Sequence, residues 1–108
     1  MSRLSETLER LAATIAAREG ADPATSYTAQ LLADRGRAAK KLAEEAVETA
    51  LAAVSQDADA VAAESADLIY HWLVLMAATG VDLDAVAAKL QAREGTSGLA
   101  EKASRSSS

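Results

Sequence analysis

Two short acidic clusters hold the residues best suited to chemistry: Glu44-Glu45-Ala46-Val47-Glu48 and, further along, Glu64-Ser65-Ala66-Asp67. Residues three apart on an α-helix lie roughly 60° apart about its axis. Glu45 and Glu48 therefore share one face of a predicted helix, and Glu64 and Asp67 share a face of the next. A short turn between the two helices predicts antiparallel packing, which brings four carboxylates together. Four unpaired negative charges in a bundle interior repel one another and resist desolvation. A hard divalent cation relieves both costs, because Mg²⁺ takes oxygen ligands and bridges to phosphates. The plain alternative is a solvated acidic face, the usual fate of helical glutamates. Asp67 weighs towards the metal, since it directly precedes an apolar run where its helix is expected to become buried.

Arg37, Lys40 and Lys41 fall in the first turns of the helix that carries Glu44, where cations oppose the helix dipole. Lys40–Glu44 and Lys41–Glu45 have i,i+4 spacing, in the less favourable order. Cations placed awkwardly beside an acidic site suit phosphate binding; ordinary surface pairing accounts for each of them as well. His71, four residues after Asp67, is in reach of a substrate, although a satisfied core or interface histidine is the simpler reading. Tyr70, Trp72 and Met76 read as core or dimer contacts. Tyr27 reads as packing, with stacking on a nucleobase as the other option. The sequence has no glycine-rich phosphate loop, and one histidine without cysteine supports neither a nucleophilic dyad nor a zinc site.

The elements that must position these groups are all helical, so the expected class is all-α: a small bundle around a central antiparallel pair. Leu4, Leu8, Leu11 and Ile15 recur at helical spacing in a first helix that ends near Gly20. Ser26 to about Asp34 forms a second, short helix anchored by Leu31 and Leu32, which Gly36 interrupts. Arg37 to about Val54 is a strong helix, rich in Ala, Leu, Glu and Lys. Ser55 to Asp59 supplies a turn and N-caps. The next helix runs to about Thr79, is apolar on almost every side over Leu68–Met76, and belongs at the centre of the bundle. Gly80 ends it. Asp82 caps a helix reaching about Glu94, Gly95 stops that, and a final turn is expected over Ser97 to Ala103. Residues 1–103 are read as one domain, with Ser104 to Ser108 as a disordered tail.

At 108 residues with half of them hydrophobic, the chain can bury only a limited core. About half of those hydrophobic residues are alanine, each of which buries little area. A homodimer is therefore expected to supply further burial. A net charge of -5 argues against nucleic-acid binding by general phosphate attraction. The absence of cysteine excludes disulfides and thiolate metal sites. No signal-peptide pattern opens the chain and no membrane span is expected, which points to the cytoplasm.

Glu-Glu-x-x-Glu followed by Glu-x-x-Asp on the next helix resembles the signature of the all-α nucleotide pyrophosphohydrolases. That superfamily takes in MazG-type enzymes, dimeric dUTPases and phosphoribosyl-ATP pyrophosphatases. Flanking segments narrow the resemblance: Ser26–Leu32, Lys40–Glu48, Glu64–His71 and Ser97–Lys102 are similar to the phosphoribosyl-ATP pyrophosphatase family. The resemblance implies that Glu45, Glu48, Glu64 and Asp67 coordinate Mg²⁺, and that Glu44, Glu45 and Glu48 are catalytic. It implies hydrolysis of phosphoribosyl-ATP between its α and β phosphates, giving phosphoribosyl-AMP and pyrophosphate, the second step of histidine biosynthesis. A water held by metal or by a carboxylate then attacks in line, while Lys41, with Lys40 and Arg37, balances charge on the leaving pyrophosphate. Arg35-Gly36-Arg37 departs from the family pattern in lacking a proline. Two other readings stand beside this one: a housecleaning pyrophosphohydrolase of nucleoside triphosphates, and a non-enzymatic helical interaction module.

Overall fold

A computed structural model describes residues 2–55 and 57–95. The expected final turn over Ser97 to Ala103, the Ser97–Lys102 segment and the tail Ser104 to Ser108 lie outside the described residues. Among the described residues five helices follow one another: α1 (Arg3–Ala17), α2 (Tyr27–Leu32), α3 (Arg35–Ser55), α4 (Ala58–Thr79) and α5 (Leu83–Ala92). No strand occurs among the described residues, and the all-α reading holds.

Side-chain caps fix most helix starts. Ser2, Ser26, Asp57 and Asp82 each accept a hydrogen bond from a backbone N–H in the first turn of the helix that follows, an arrangement worth about 1 kcal/mol per cap. At the end of α4, Gly80 takes a φ of 73°, and Val81 N–H bonds back to the Met76 carbonyl at 2.9 Å. That left-handed cap suits glycine, which has no Cβ to clash.

One start differs from expectation. Gly36 does not interrupt the chain but is the second residue of α3. Asp34 overrides it: its Oδ1 accepts from Arg37 N–H at 3.0 Å and its carbonyl from Ala38 N–H at 3.0 Å. A capping aspartate just before the first turn outweighs the modest helix cost of a glycine within it.

The core is small. Ile15 of α1, Leu31 of α2, Ala38 of α3, and Leu73 and Val74 of α4 form its buried cluster. Leu8, Leu11, Leu32, Tyr70 and Trp72 pack against it, while Leu4 is exposed. α3 ends at Ser55 and α4 starts at Ala58, so the chain doubles back and the two long helices pack along each other as the central pair. α4 also packs on α1 and α2, making it the hub of the bundle.

At 22 residues with a best-window mean hydropathy of 1.2, α4 is long and apolar enough to cross a membrane by length and composition. That corrects the expectation that no segment qualifies. It packs on three helices of this chain, and it carries Glu64 and Asp67 of the candidate site.

Candidate metal centre

α3 and α4 meet where their acidic residues face one another. Glu45, Glu48 and Glu64 each place a carboxylate oxygen within 4.8 Å of the other two. Glu45 is buried, Glu64 is half-buried and Glu48 is exposed. Glu45 Oε2 and Glu64 Oε2 are both inaccessible to solvent and have no hydrogen-bond partner. An unpartnered buried carboxylate oxygen is costly, and both of these belong to members of the cluster, a chemistry that fits a divalent cation. The donor set is all oxygen, which suits Mg²⁺ or a similar hard ion.

Electrostatics agree with the geometry. Burial pushes the Glu45 carboxyl above its ordinary value, and the neighbouring Glu48, in hydrogen-bonding reach, pushes it the same way. Burial likewise raises Glu64, followed by contact with the same Glu48. Glu48 is therefore the shared neighbour of both. The folded, metal-free protein holds protons at Glu45 and Glu64 more tightly than the unfolded chain does. In the window between the ordinary carboxyl value and these raised values, its stability must fall as pH rises.

We expect the metal-free protein to gain melting temperature relative to Glu64→Gln as the pH is lowered from neutrality into that window. Because protons compete with the cation, the stabilisation given by Mg²⁺ should shrink over the same range. Thermal melts from about pH 5 to 8, with and without Mg²⁺, measure both. Parallel curves for the two proteins would contradict the expectation.

Asp67 does not join the trio. It is exposed, although close enough for its charge to add to the raising of Glu45 and Glu64. α4 is rotated so that Glu64 faces α3, which leaves Asp67 towards solvent and not in the buried setting expected of it. Glu44 is exposed and bonds Lys41 Nζ at 3.3 Å. Lys41 also reaches Glu45 Oε1 at 3.8 Å, while Glu45 Oε2 is buried without a hydrogen-bond partner. The hydrogen bond to Glu44, and then its charge, raise the Lys41 ammonium above its usual value. The expected Lys41–Glu45 pair is present; among the described residues Lys40 makes no such pair with Glu44.

Arg37 is held by uncharged groups. Its Nη1 donates to Gln30 Oε1 at 3.2 Å, and its guanidinium lies 5.7 Å from the centre of the Tyr27 ring. Gln30 is itself fixed by donating to the Pro23 carbonyl at 2.8 Å. The charge of Arg37 thus stays available to an external anion.

His71 is buried, and its two ring nitrogens have separate partners. Nδ1 lies 2.8 Å from the Asp67 carbonyl, which can only accept, so this nitrogen carries the proton. Nε2 faces the Tyr27 hydroxyl at 3.4 Å. The satisfied-core reading of His71 fits this. Tyr27, however, is 43% exposed and acts as a bridge between Arg37 and His71, which no local pattern around it announces.

Residues 8–94 match the family described as phosphoribosyl-ATP pyrophosphohydrolase. A phosphoribosyl-ATP pyrophosphatase of Caulobacter vibrioides (strain NA1000 / CB15N) is 73% identical over 103 residues, covering 95% of this chain and 96% of the relative. One from Parvibaculum lavamentivorans is 58% identical over 106 residues, 97% of each chain. One from Azospirillum brasilense is 58% identical over 102 residues, 93% of this chain and 91% of its own.

Proposed function

The chain belongs to the phosphoribosyl-ATP pyrophosphohydrolase family, and on that footing we propose that it hydrolyses phosphoribosyl-ATP to phosphoribosyl-AMP and pyrophosphate in histidine biosynthesis. The observation that carries the reading is the Glu45–Glu48–Glu64 cluster with its two orphaned buried oxygens. These three residues would hold Mg²⁺, with Asp67 at the margin. Bound there, the cation would neutralise phosphate charge and make phosphorus more open to attack.

The protein's own part is positioning and charge balance, the main contributions in phosphoryl transfer. Glu48, the most accessible of the three, orients the attacking water. Lys41 stands one helical turn from Glu45 and balances charge on the departing pyrophosphate. Arg37 stands one turn beyond Lys41 and takes another anionic group of the substrate; Lys40 and Glu44 play lesser parts at the rim. The same reading places the enzyme in the cytoplasm.

A homodimer completes the proposal. Val47, Leu51 and Val54 are 59%, 64% and 80% exposed and follow i, i+4, i+7 spacing, so they form one apolar stripe along α3. Val47 points nearly opposite to Glu45 by helical geometry. A second copy covering that stripe would leave the Glu45 face of α3 uncovered and lie beside Glu48, three residues from Leu51. None of the residues of α5 is buried, which is further surface for a partner.

The direct test is pyrophosphate release, with and without Mg²⁺, on phosphoribosyl-ATP beside a panel of nucleoside triphosphates. Metal-dependent preference for phosphoribosyl-ATP is expected. Preference for a nucleoside triphosphate would keep the site and replace the substrate; no release from any of them would end the enzymatic reading.

A further inference from the structure

Thr49 makes an unusual pair of contacts beside the acidic cluster. Its hydroxyl lies 2.8 Å from the Glu45 carbonyl and 3.1 Å from the Glu64 carbonyl. The first contact is ordinary, because helical threonines often bond back to the residue four before them. Thr7, Thr14 and Thr79 do so in this protein. The second contact is different in kind, since it joins α3 to α4. Among the described residues it is the one side-chain hydrogen bond to a backbone carbonyl that crosses between those two helices. The two carbonyls it touches belong to residues whose side chains enter the acidic cluster from opposite sides.

The physical need for such a tie is plain. Glu45, Glu48 and Glu64 each bring a carboxylate oxygen within 4.8 Å of the other two, so without a cation their like charges push α3 and α4 apart at this level. Apolar contacts between helices resist separation but set the axial register loosely, because they are non-directional. A hydrogen bond is directional. Mg²⁺ tolerates little deviation from near-ideal octahedral geometry, so a slip of a fraction of an ångström between α3 and α4 weakens its binding.

We propose that Thr49 is a positioning residue for the cation: its single hydroxyl proton, shared between the Glu45 and Glu64 carbonyls, sets the register in which Glu45, Glu48 and Glu64 can bind Mg²⁺ together. The proposal rests on reading those three residues as cation ligands. Thr49 touches neither substrate nor metal and acts through the backbone of two ligands.

The test is calorimetric titration of the full chain with MgCl₂ alone. Thr49→Val keeps the shape of the side chain and removes the hydroxyl; Thr49→Ser keeps the hydroxyl. The Mg²⁺ dissociation constant should rise about tenfold in Thr49→Val, in line with other outer-sphere losses at metal sites, and return close to wild type in Thr49→Ser. A purely structural threonine would instead lower the metal-free melting temperature and leave the Mg²⁺ constant unchanged, which would overturn the proposal. So would a Thr49→Ser variant as weak as Thr49→Val. If Thr49→Val does not fold, Thr49→Ala removes the hydroxyl without adding bulk, and the same comparison holds. Wild-type protein that takes up no Mg²⁺ would overturn the metal centre itself, a result separable from wild-type binding with an unaffected Thr49→Val.

Discussion

Glu48→Gln should lose pyrophosphate release from phosphoribosyl-ATP by a factor of about 10²–10³, the range for removing one preorganised electrostatic group from an active site. Glu48 is the common neighbour of Glu45 and Glu64, so the amide removes a ligand and the charge that both others feel. The same substitution should make the metal-free protein more stable, because the repulsion across α3 and α4 is relieved. Wild-type protein at a hundredfold excess of Mg²⁺ over its dissociation constant should gain about 2.7 kcal/mol; Glu48→Gln should gain much less. Activity assays and melts on the same preparations read both effects. Unaltered activity with ordinary Mg²⁺ dependence would remove Glu48 from the site. Loss of activity with a fall in metal-free stability would mean that the variant damages the fold instead.

If the proposed homodimer forms through the α3 stripe, Leu51→Glu should convert it to monomers. Leu51 is the middle of the exposed α3 stripe and is 64% exposed in a single chain. Covering one leucine is worth about 1.5–3 kcal/mol, and a twofold interface contains it twice. The loss is then about 3–6 kcal/mol, or roughly 10²–10⁴ in dissociation constant, before the cost of a buried glutamate is added. Sedimentation velocity at micromolar protein reads this as a halved mass. Wild-type protein that sediments as a monomer, or a Leu51→Glu variant that remains dimeric, would rule out this interface. If the monomer keeps its helix content but loses turnover, the partner contributes to the substrate pocket; full turnover would confine the site to one chain.

Much of this architecture can be read from short-range patterns. Ser26, Asp57, Asp82 and Gly80 sit where their local hydrogen bonds require them, and those bonds need nothing beyond a few neighbouring residues. Glu45 and Glu48 share a face for the same reason. Asp67 exposes the limit of such reasoning. Glu64, on the same helix, does come within reach of Glu45 and Glu48, but α4 is apolar on so many sides that its sequence does not say which way it is turned. A rotation of one ligand's width separates a residue facing α3 from one facing solvent. Thr49 and Tyr27 were hidden for another reason: their informative partners, Glu64 and His71, are 15 and 44 residues away. No helical period links positions that far apart. Gly36 misled because a glycine reads as a break unless the cap two residues earlier is weighed with it.

His71 gives this protein a built-in spectroscopic label. The chain contains a single imidazole, and its ring is buried against Tyr27 and Tyr70 and close enough to Glu45 to act on it electrostatically. Its proton is assigned to one nitrogen by the Asp67 carbonyl, so its ring resonances should be sharp and free of overlap from other histidines. Binding of the proposed cation at Glu45, any movement of the Tyr27 hydroxyl from His71 Nε2 and any turn of α4 would register at that one ring. Events at the site can therefore be followed in the unmodified protein by proton and nitrogen resonance, without an introduced probe.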